Sequence, residues 1–270
     1  MRSFIYNLIQ DGNKPGLISA LPTFFESESK PYWYLPYIGG RAITEPTIDE
    51  MMALRPRVHS AIANSVHSGS IFTKTHNQLC NYNGLPLHNM AVTAAAIYIV
   101  RNPLDVVISM ADHFGMSLDD AIRFMGDNRT IAPSTIEDVA GFLGSWSNHV
   151  ESWSRDLNDQ FIVLRYEDMI TKPLRTFSRV AKLLNLNQDK QRIKRAIEFS
   201  SFSELKKQEM ASGFIERSPE SKAFFRKGKK NQWVNELDDA QITRIIDAHK
   251  RQMSRFDYVP PRYKKRKATT

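Results

Sequence analysis

Arg101 and Ser109 are the residues whose types and spacing point most directly to chemistry. They lie in the segment Ile97-Tyr98-Ile99-Val100-Arg101-Asn102-Pro103-Leu104-Asp105-Val106-Val107-Ile108-Ser109. The apolar run predicts a strand that delivers Arg101 at its carboxyl end, where open α/β sheets bind ligands. Asn102 can cap a following helix, Pro103 fits its first position and Asp105 suits its positive end. Ser109 then falls about two turns along that helix. A phosphate beside the helix would meet free backbone N–H groups, the Arg101 fork and the Ser109 hydroxyl. An Arg101–Asp105 pair, with Ser109 as a plain helix residue, explains the same letters equally well.

Four further segments carry reactive or anion-seeking groups. In Thr73-Lys74-Thr75-His76, the histidine can take a proton near neutral pH and the lysine can stabilise charge on a group in transfer. A structural histidine is the plainer reading. In Val163-Leu164-Arg165-Tyr166-Glu167-Asp168-Met169, Tyr166 ends an apolar run and can lay its ring on a base, or fill a core. In Ser200-Ser201-Phe202, a serine before a helical run is as naturally an N-cap as a ligand. In Phe225-Arg226-Lys227-Gly228-Lys229-Lys230-Asn231-Gln232-Trp233, Gly228 permits close backbone approach and the cations suit phosphate. A solvated basic loop anchored by Trp233 is the alternative.

Taken in order, these segments resemble the cytosolic-type sulfotransferases that use 3′-phosphoadenosine 5′-phosphosulfate (PAPS). The resemblance implies that Arg101 and Ser109 contact the 3′-phosphate, together with Arg226, Lys227 and Gly228. It implies that His76 is the general base toward the acceptor and that Lys74 supports charge. Tyr166, Ser200 and Phe202 fall where that family encloses adenine. Asn231 replaces a family glycine, and asparagine tolerates left-handed backbone. The implied cofactors are PAPS as donor and adenosine 3′,5′-bisphosphate (PAP) as product, with no metal, and the implied partner is a small-molecule acceptor. The reaction would move a sulfuryl group to a hydroxyl or amine. The implied fold is an α/β, P-loop-NTPase-like three-layer sandwich, with a mostly parallel central sheet flanked by helices.

One family element is not matched. Sulfotransferases of this type open with a strand and a loop resembling Pro-Lys-Ser-Gly-Asn-Thr-Trp around the 5′-phosphosulfate. This sequence begins Met1-Arg2-Ser3-Phe4-Ile5-Tyr6-Asn7-Leu8-Ile9, which is similar to the helix after that loop. The expectation is that Met1 is internal to a longer natural protein. The other option is a short protein lacking a strand near mid-sheet, with unpaired edges and exposed apolar surface. Weak or absent transfer is expected of these residues alone. A sulfotransferase-fold protein that binds nucleotide without turnover is the alternative function.

The elements that must position these groups can be read from periodicity. Arg2–Gln10 predicts a helix with Phe4, Ile5, Leu8 and Ile9 on one face, and 13–45 reads as irregular. Thr47 and Glu50 form a capping box for a helix toward Val66. Strands are predicted at 70–75, 94–100 (buried on both faces) and 161–165. Helices are predicted at 118–125, 136–154 and 173–184, and through most of the remainder outside the basic loop 225–233. Residues 1–258 read as a single, N-terminally incomplete domain, and 259–270 as a basic, flexible tail.

Composition narrows the classes. Net charge is +8, which favours anionic partners. No basic and aromatic nucleic-acid motif is present, nor the Gly-x-x-x-x-Gly-Lys-Ser/Thr of phosphate-transferring kinases. The longest apolar run, 91–100, is too short to cross a membrane. A single cysteine, Cys80, excludes an internal disulfide, and with no secretory leader this points to the cytoplasm. His88, His113 and His149 lack metal-ligand spacing. Residues 31–37 and 126–135 are candidate acceptor walls, or ordinary packing.

Overall fold

Apolar runs and amphipathic stretches alternate along the chain, and they fold as helices packed around short strands, two pairs parallel and two antiparallel. The computed structural model describes residues 1–66, 69–155, 159–186 and 189–264. The chain opens with α1 (Arg2–Gln10), α2 (Leu21–Phe24), β1 (Phe25–Ser27), α3 (Ile48–Asn64), β2 (Phe72–Lys74), β3 (Asn81–Tyr82) and β4 (Leu85–Pro86). It continues with β5 (Ala96–Val100), α4 (Pro103–Phe114), α5 (Leu118–Gly126), β6 (Ile131–Ala132), β7 (Gly141–Phe142), α6 (Trp146–Ser154) and β8 (Phe161–Arg165). The last part is helical: α7 (Tyr166–Thr171), α8 (Pro173–Leu183), α9 (Lys190–Phe199), α10 (Phe202–Ser212), α11 (Trp233–Glu236), α12 (Asp239–Arg255) and α13 (Pro261–Lys264).

Local signals set most of these boundaries. The Thr47–Glu50 capping box forms at α3. Asn102 caps α4 by accepting from Leu104 N, and α1 buries Phe4, Ile5 and Leu8. Three expectations are corrected. Residues 13–45 are not wholly irregular, since they contain α2 and β1. The helix expected over 136–154 starts only at Trp146, because Ser145 caps there and Gly144 sits at φ +60°. Residues 259–264 are no loose tail: Val259 and Tyr263 are buried, while 265–270 lie outside the described residues.

Strands pair two by two. β1 runs parallel to β2 with Phe25 opposite Phe72, and β5 runs parallel to β8 with Tyr98 opposite Val163. Among the described residues no ladder joins these two pairs, so β2 and β5 each keep an unpaired edge. β5 is not buried on both faces as expected. Only Val100 is fully enclosed, and Ile99 is 37% exposed.

Two large apolar clusters clasp the strands. One joins the end of β5 to α4, α5, α6 and α12 through Val100, Leu104, Ile122, Val150 and Ile245. The other joins β1 and β8 to α1, α8 and α9 through Phe4, Phe25, Leu164, Val180 and Ile193. Residues 31–37 mostly serve a third cluster under α3: Tyr34 is fully buried, with Trp33 and Tyr37 packed alongside. No helix among the described residues is long and apolar enough to cross a membrane.

Candidate active site

Chemistry-bearing residues sit at or just beyond the carboxyl ends of three strands: Lys74 and His76 at β2, Arg101 after β5, and Tyr166 after β8. A parallel ladder makes this inevitable for Arg101 and Tyr166. Val100 lies opposite Arg165, so the two residues that follow emerge side by side. The Arg101 guanidinium lies over the Tyr166 ring, 4.6 Å from its centroid. Its Nη1 donates to Ser109 Oγ at 3.2 Å, and its Nη2 reaches Lys229 O at 3.4 Å. Arg101 Nε is buried without a hydrogen-bond partner. A guanidinium so held, with capacity left over, fits a phosphate group.

Asp105 does not pair with Arg101. Its carboxylate accepts from Asn231 N at 2.7 Å and Trp233 N at 3.2 Å. On the other side of the basic loop, Glu209 accepts from Phe224 N at 2.6 Å and Phe225 N at 2.8 Å. The stretch carrying Arg226, Lys227 and Gly228 is thus clamped at both ends by carboxylates on helices. Asn231 takes φ +61°, as its substitution for glycine requires. Arg226 faces Asp112 on α4 at 3.4 Å, and Gly228 lies against the Phe202 ring.

Gly228 also yields a prediction. A Cβ there would fall 2.2 Å from Phe202 Cδ2, at φ +60°. Gly228→Ala should cost about 1–3 kcal/mol, the usual range for overpacking. A urea-unfolding midpoint equal to that of the parent chain would contradict this.

Two expected ligands have polar partners of their own. Ser200 Oγ donates to Ala196 O and receives hydrogen bonds from Ser3 and Asn7, so it is committed to α1. Ser201, its neighbour, is the cap of α10. Lys227 is paired with Glu236.

His76 is exposed, with protein on the side toward Lys74 and His149. Desolvation, then the charges of Lys74 and His149, pushes its pKa down to about 4. Its imidazole is therefore neutral near pH 7, the form able to accept a proton. No described residue hydrogen-bonds the ring. The backbone around it is held from several directions. His149 Nε2 contacts His76 O at 3.2 Å, Tyr98 Oη contacts His149 Nδ1 at 3.0 Å, and Trp153 Nε1 donates to Asn77 O at 3.0 Å. Lys74 and Arg2 converge on the Glu216 carboxylate, at 3.2 and 2.6 Å.

A family model described as the sulfotransferase domain matches residues 22–257. The chain belongs to the sulfotransferase family. Its similarity to individual sulfotransferases is distant. It is 27% identical over 181 residues to sulfotransferase 2A2 of Mus musculus, covering 64% of this chain and 62% of the relative. It is 30% identical over 172 residues to sulfotransferase 1B1 of Canis lupus familiaris, covering 58% and 54%. The chain thus spans less than two thirds of the length of these curated sulfotransferases. Retinol dehydratase in complex with androsterone and the inactive cofactor PAP superposes with a TM-score of 0.63 and 18% identity, covering 97% of this chain and 78% of that one. Mouse sulfotransferase SULT7A1 complexed with PAP gives 0.55 and 16%, covering 89% of each chain. The chain has the α/β, P-loop-like sulfotransferase fold.

The sequence reading missed the residues that hold these segments in shape. Glu28, 1% exposed, accepts from Arg55 Nη1 at 3.0 Å and also from His59, Thr75 and Asn77. It therefore grips both neighbours of His76. No local pattern marks it, since its partners come from two segments distant in sequence, α3 and the turn after β2. Asp105 was visible, but as a residue suited to a helix start or a partner of Arg101, not as a clamp on the basic loop. No group of three or more His, Cys, Asp or Glu among the described residues is placed to hold a metal.

Proposed function

We propose that this chain carries the nucleotide site and the base of a sulfotransferase that moves a sulfuryl group from PAPS to a hydroxyl or amine of a small molecule. The observation that carries this reading is the convergence of Ser109, Tyr166 and the backbone of Lys229, next to Gly228, on the Arg101 guanidinium. PAPS supplies the activated sulfuryl group. Arg101 and Ser109 hold its 3′-phosphate, with Arg226 joining from the clamped loop. Tyr166 and Phe202 border the adenine. His76 takes the proton from the acceptor, so that its oxygen or nitrogen can attack in line. Lys74 supplies positive charge to the group in transfer. As with phosphoryl transfer, alignment and charge stabilisation do most of the work.

His76→Ala should lower turnover by about 10²–10⁴-fold in a form with measurable transfer, the usual contribution of a positioned base. Affinity for PAP, measured by isothermal titration, should stay within about twofold of the parent, because a base toward the acceptor adds little to nucleotide binding. Undiminished transfer would remove His76 from the mechanism. Tight PAP binding with no transfer from any donor-competent form would favour a nucleotide-binding role instead.

A further inference from the structure

A second basic site lies on the other side of the β8 end, formed by residues the nucleotide cluster does not use. A cavity of about 270 Å³ is lined by Leu164, Arg165, Asp168, Lys172, Arg175, Thr176 and Arg179. Arg165 comes from the last position of β8. Lys172, Arg175 and Arg179 lie along the start of α8, spaced so that they share one face. Four cations thus converge from two elements, with Asp168 the one carboxylate in the cavity lining and Glu167 and Asp257 acting on Arg165 alone. None of the four forms an ion pair among the described residues, although most other clustered arginines here do. Arg2, Arg55, Arg192, Arg195 and Arg244, for example, all have carboxylate partners.

Local architecture makes this charge unfavourable without an anion. α8 begins with Lys172 as its N-cap residue, with no side-chain cap and no acidic residue in its first turn. The positive end of the helix dipole therefore faces further positive charge. Arg165 is held flat over the Tyr258 ring, 4.8 Å from its centroid, and its Nε is buried without a hydrogen-bond partner. Arg179 reaches back to Val163 O at 3.5 Å, which keeps the helix against the strand. The floor is fixed, since Leu164 and Thr176 are buried. Planar guanidinium forks match the oxygens of a tetrahedral oxyanion.

We propose that this cavity binds the phosphate or sulfate group of a small soluble molecule, at a site separate from the one built on Arg101. Titration of inorganic phosphate, followed through amide ¹H–¹⁵N shifts at a constant ionic strength of about 0.15 M, tests it. The amides of Arg165, Leu174 and Arg175 should shift and saturate, and inorganic sulfate should act likewise. In the double variant Arg175→Gln/Arg179→Gln, both of whose parent side chains are exposed, the affinity read at Leu174 should fall about tenfold or more, as expected on losing charge-assisted hydrogen bonds. Shifts near Gly228 should persist in that variant, which shows that the fold and the other site remain. Lys172→Gln should weaken the same signal by a smaller factor. Three outcomes would overturn the proposal: no saturable response at α8, an equal response to added chloride, or an unchanged affinity in the double variant.

Discussion

Replacing Arg101 with alanine is expected to weaken binding of adenosine 3′,5′-bisphosphate by about 10- to 100-fold. The estimate follows from the loss of a charge-assisted hydrogen bond, about 1.5–3 kcal/mol, where each 1.4 kcal/mol is tenfold. Arg101 is only half-buried, so the change should leave the fold intact. Arg101→Lys should recover little, because an ammonium has no fork and cannot lie flat on Tyr166. The discriminating ligand is adenosine 5′-monophosphate, which lacks the 3′-phosphate. Its affinity should change much less than that of the bisphosphate. Equal losses for both nucleotides in isothermal titration would place Arg101 elsewhere than on the 3′-phosphate.

Glu28→Ala is expected to destabilise the protein by about 3–5 kcal/mol, the range for breaking a buried ion pair from one side. Arg55 is completely buried, and its charge would be left with the carbonyl of Ala140 and the Tyr34 ring but no carboxylate. Folded domains hold about 5–15 kcal/mol in total, so much of the margin would go. Replacing both partners, with Glu28→Leu and Arg55→Met, should recover part of the loss, because no uncompensated charge then remains. Urea denaturation of the single and double variants measures both effects; a double variant no more stable than the single would refute the ion-pair account.

The same network gives the pH dependence a sign. Burial pushes the Glu28 carboxyl up, but the His59 hydrogen bond and the charges of Arg55, His88 and His59 outweigh it and hold the group well below the usual carboxylate range. Desolvation pushes the buried His88 and His249 down to about 4 from 6.5. All three folded-state values lie below their unfolded ones. The histidine contributions are therefore complete above about pH 6.5 and lost as pH falls toward 4, and the Glu28 contribution is lost below about 4.5. The urea midpoint should begin to fall near pH 6.5, above the ordinary carboxylate range. A midpoint flat down to pH 5 would show that the buried histidines are not held neutral.

Much of the site was legible because its residues fall in short contiguous segments with strong local physics. The strand ending at Val100, the Asn102 cap and Pro103 fix where Arg101 and Ser109 emerge, and Thr47 with Glu50 fixes α3. Where the reading failed, local signals competed. The apolar and helix-forming residues of 136–154 were read through Gly141 and Gly144, which break the helix. Ser200 matched by position, but its hydroxyl was taken by partners in α1, about 200 residues away in sequence.

The sequence by itself determined that strand ends would present Lys74, His76, Arg101 and Tyr166, and that a glycine-centred basic turn would follow, because hydrophobic period, caps and glycine act over a few residues. Only the tertiary structure decided that Asp105 and Glu209 clamp that turn, that Glu28 holds both neighbours of His76, and that four unpaired cations meet between β8 and α8. Those relations join residues far apart along the chain. A buried carboxylate takes whichever donors the packed chain brings to it, and no local pattern names them in advance.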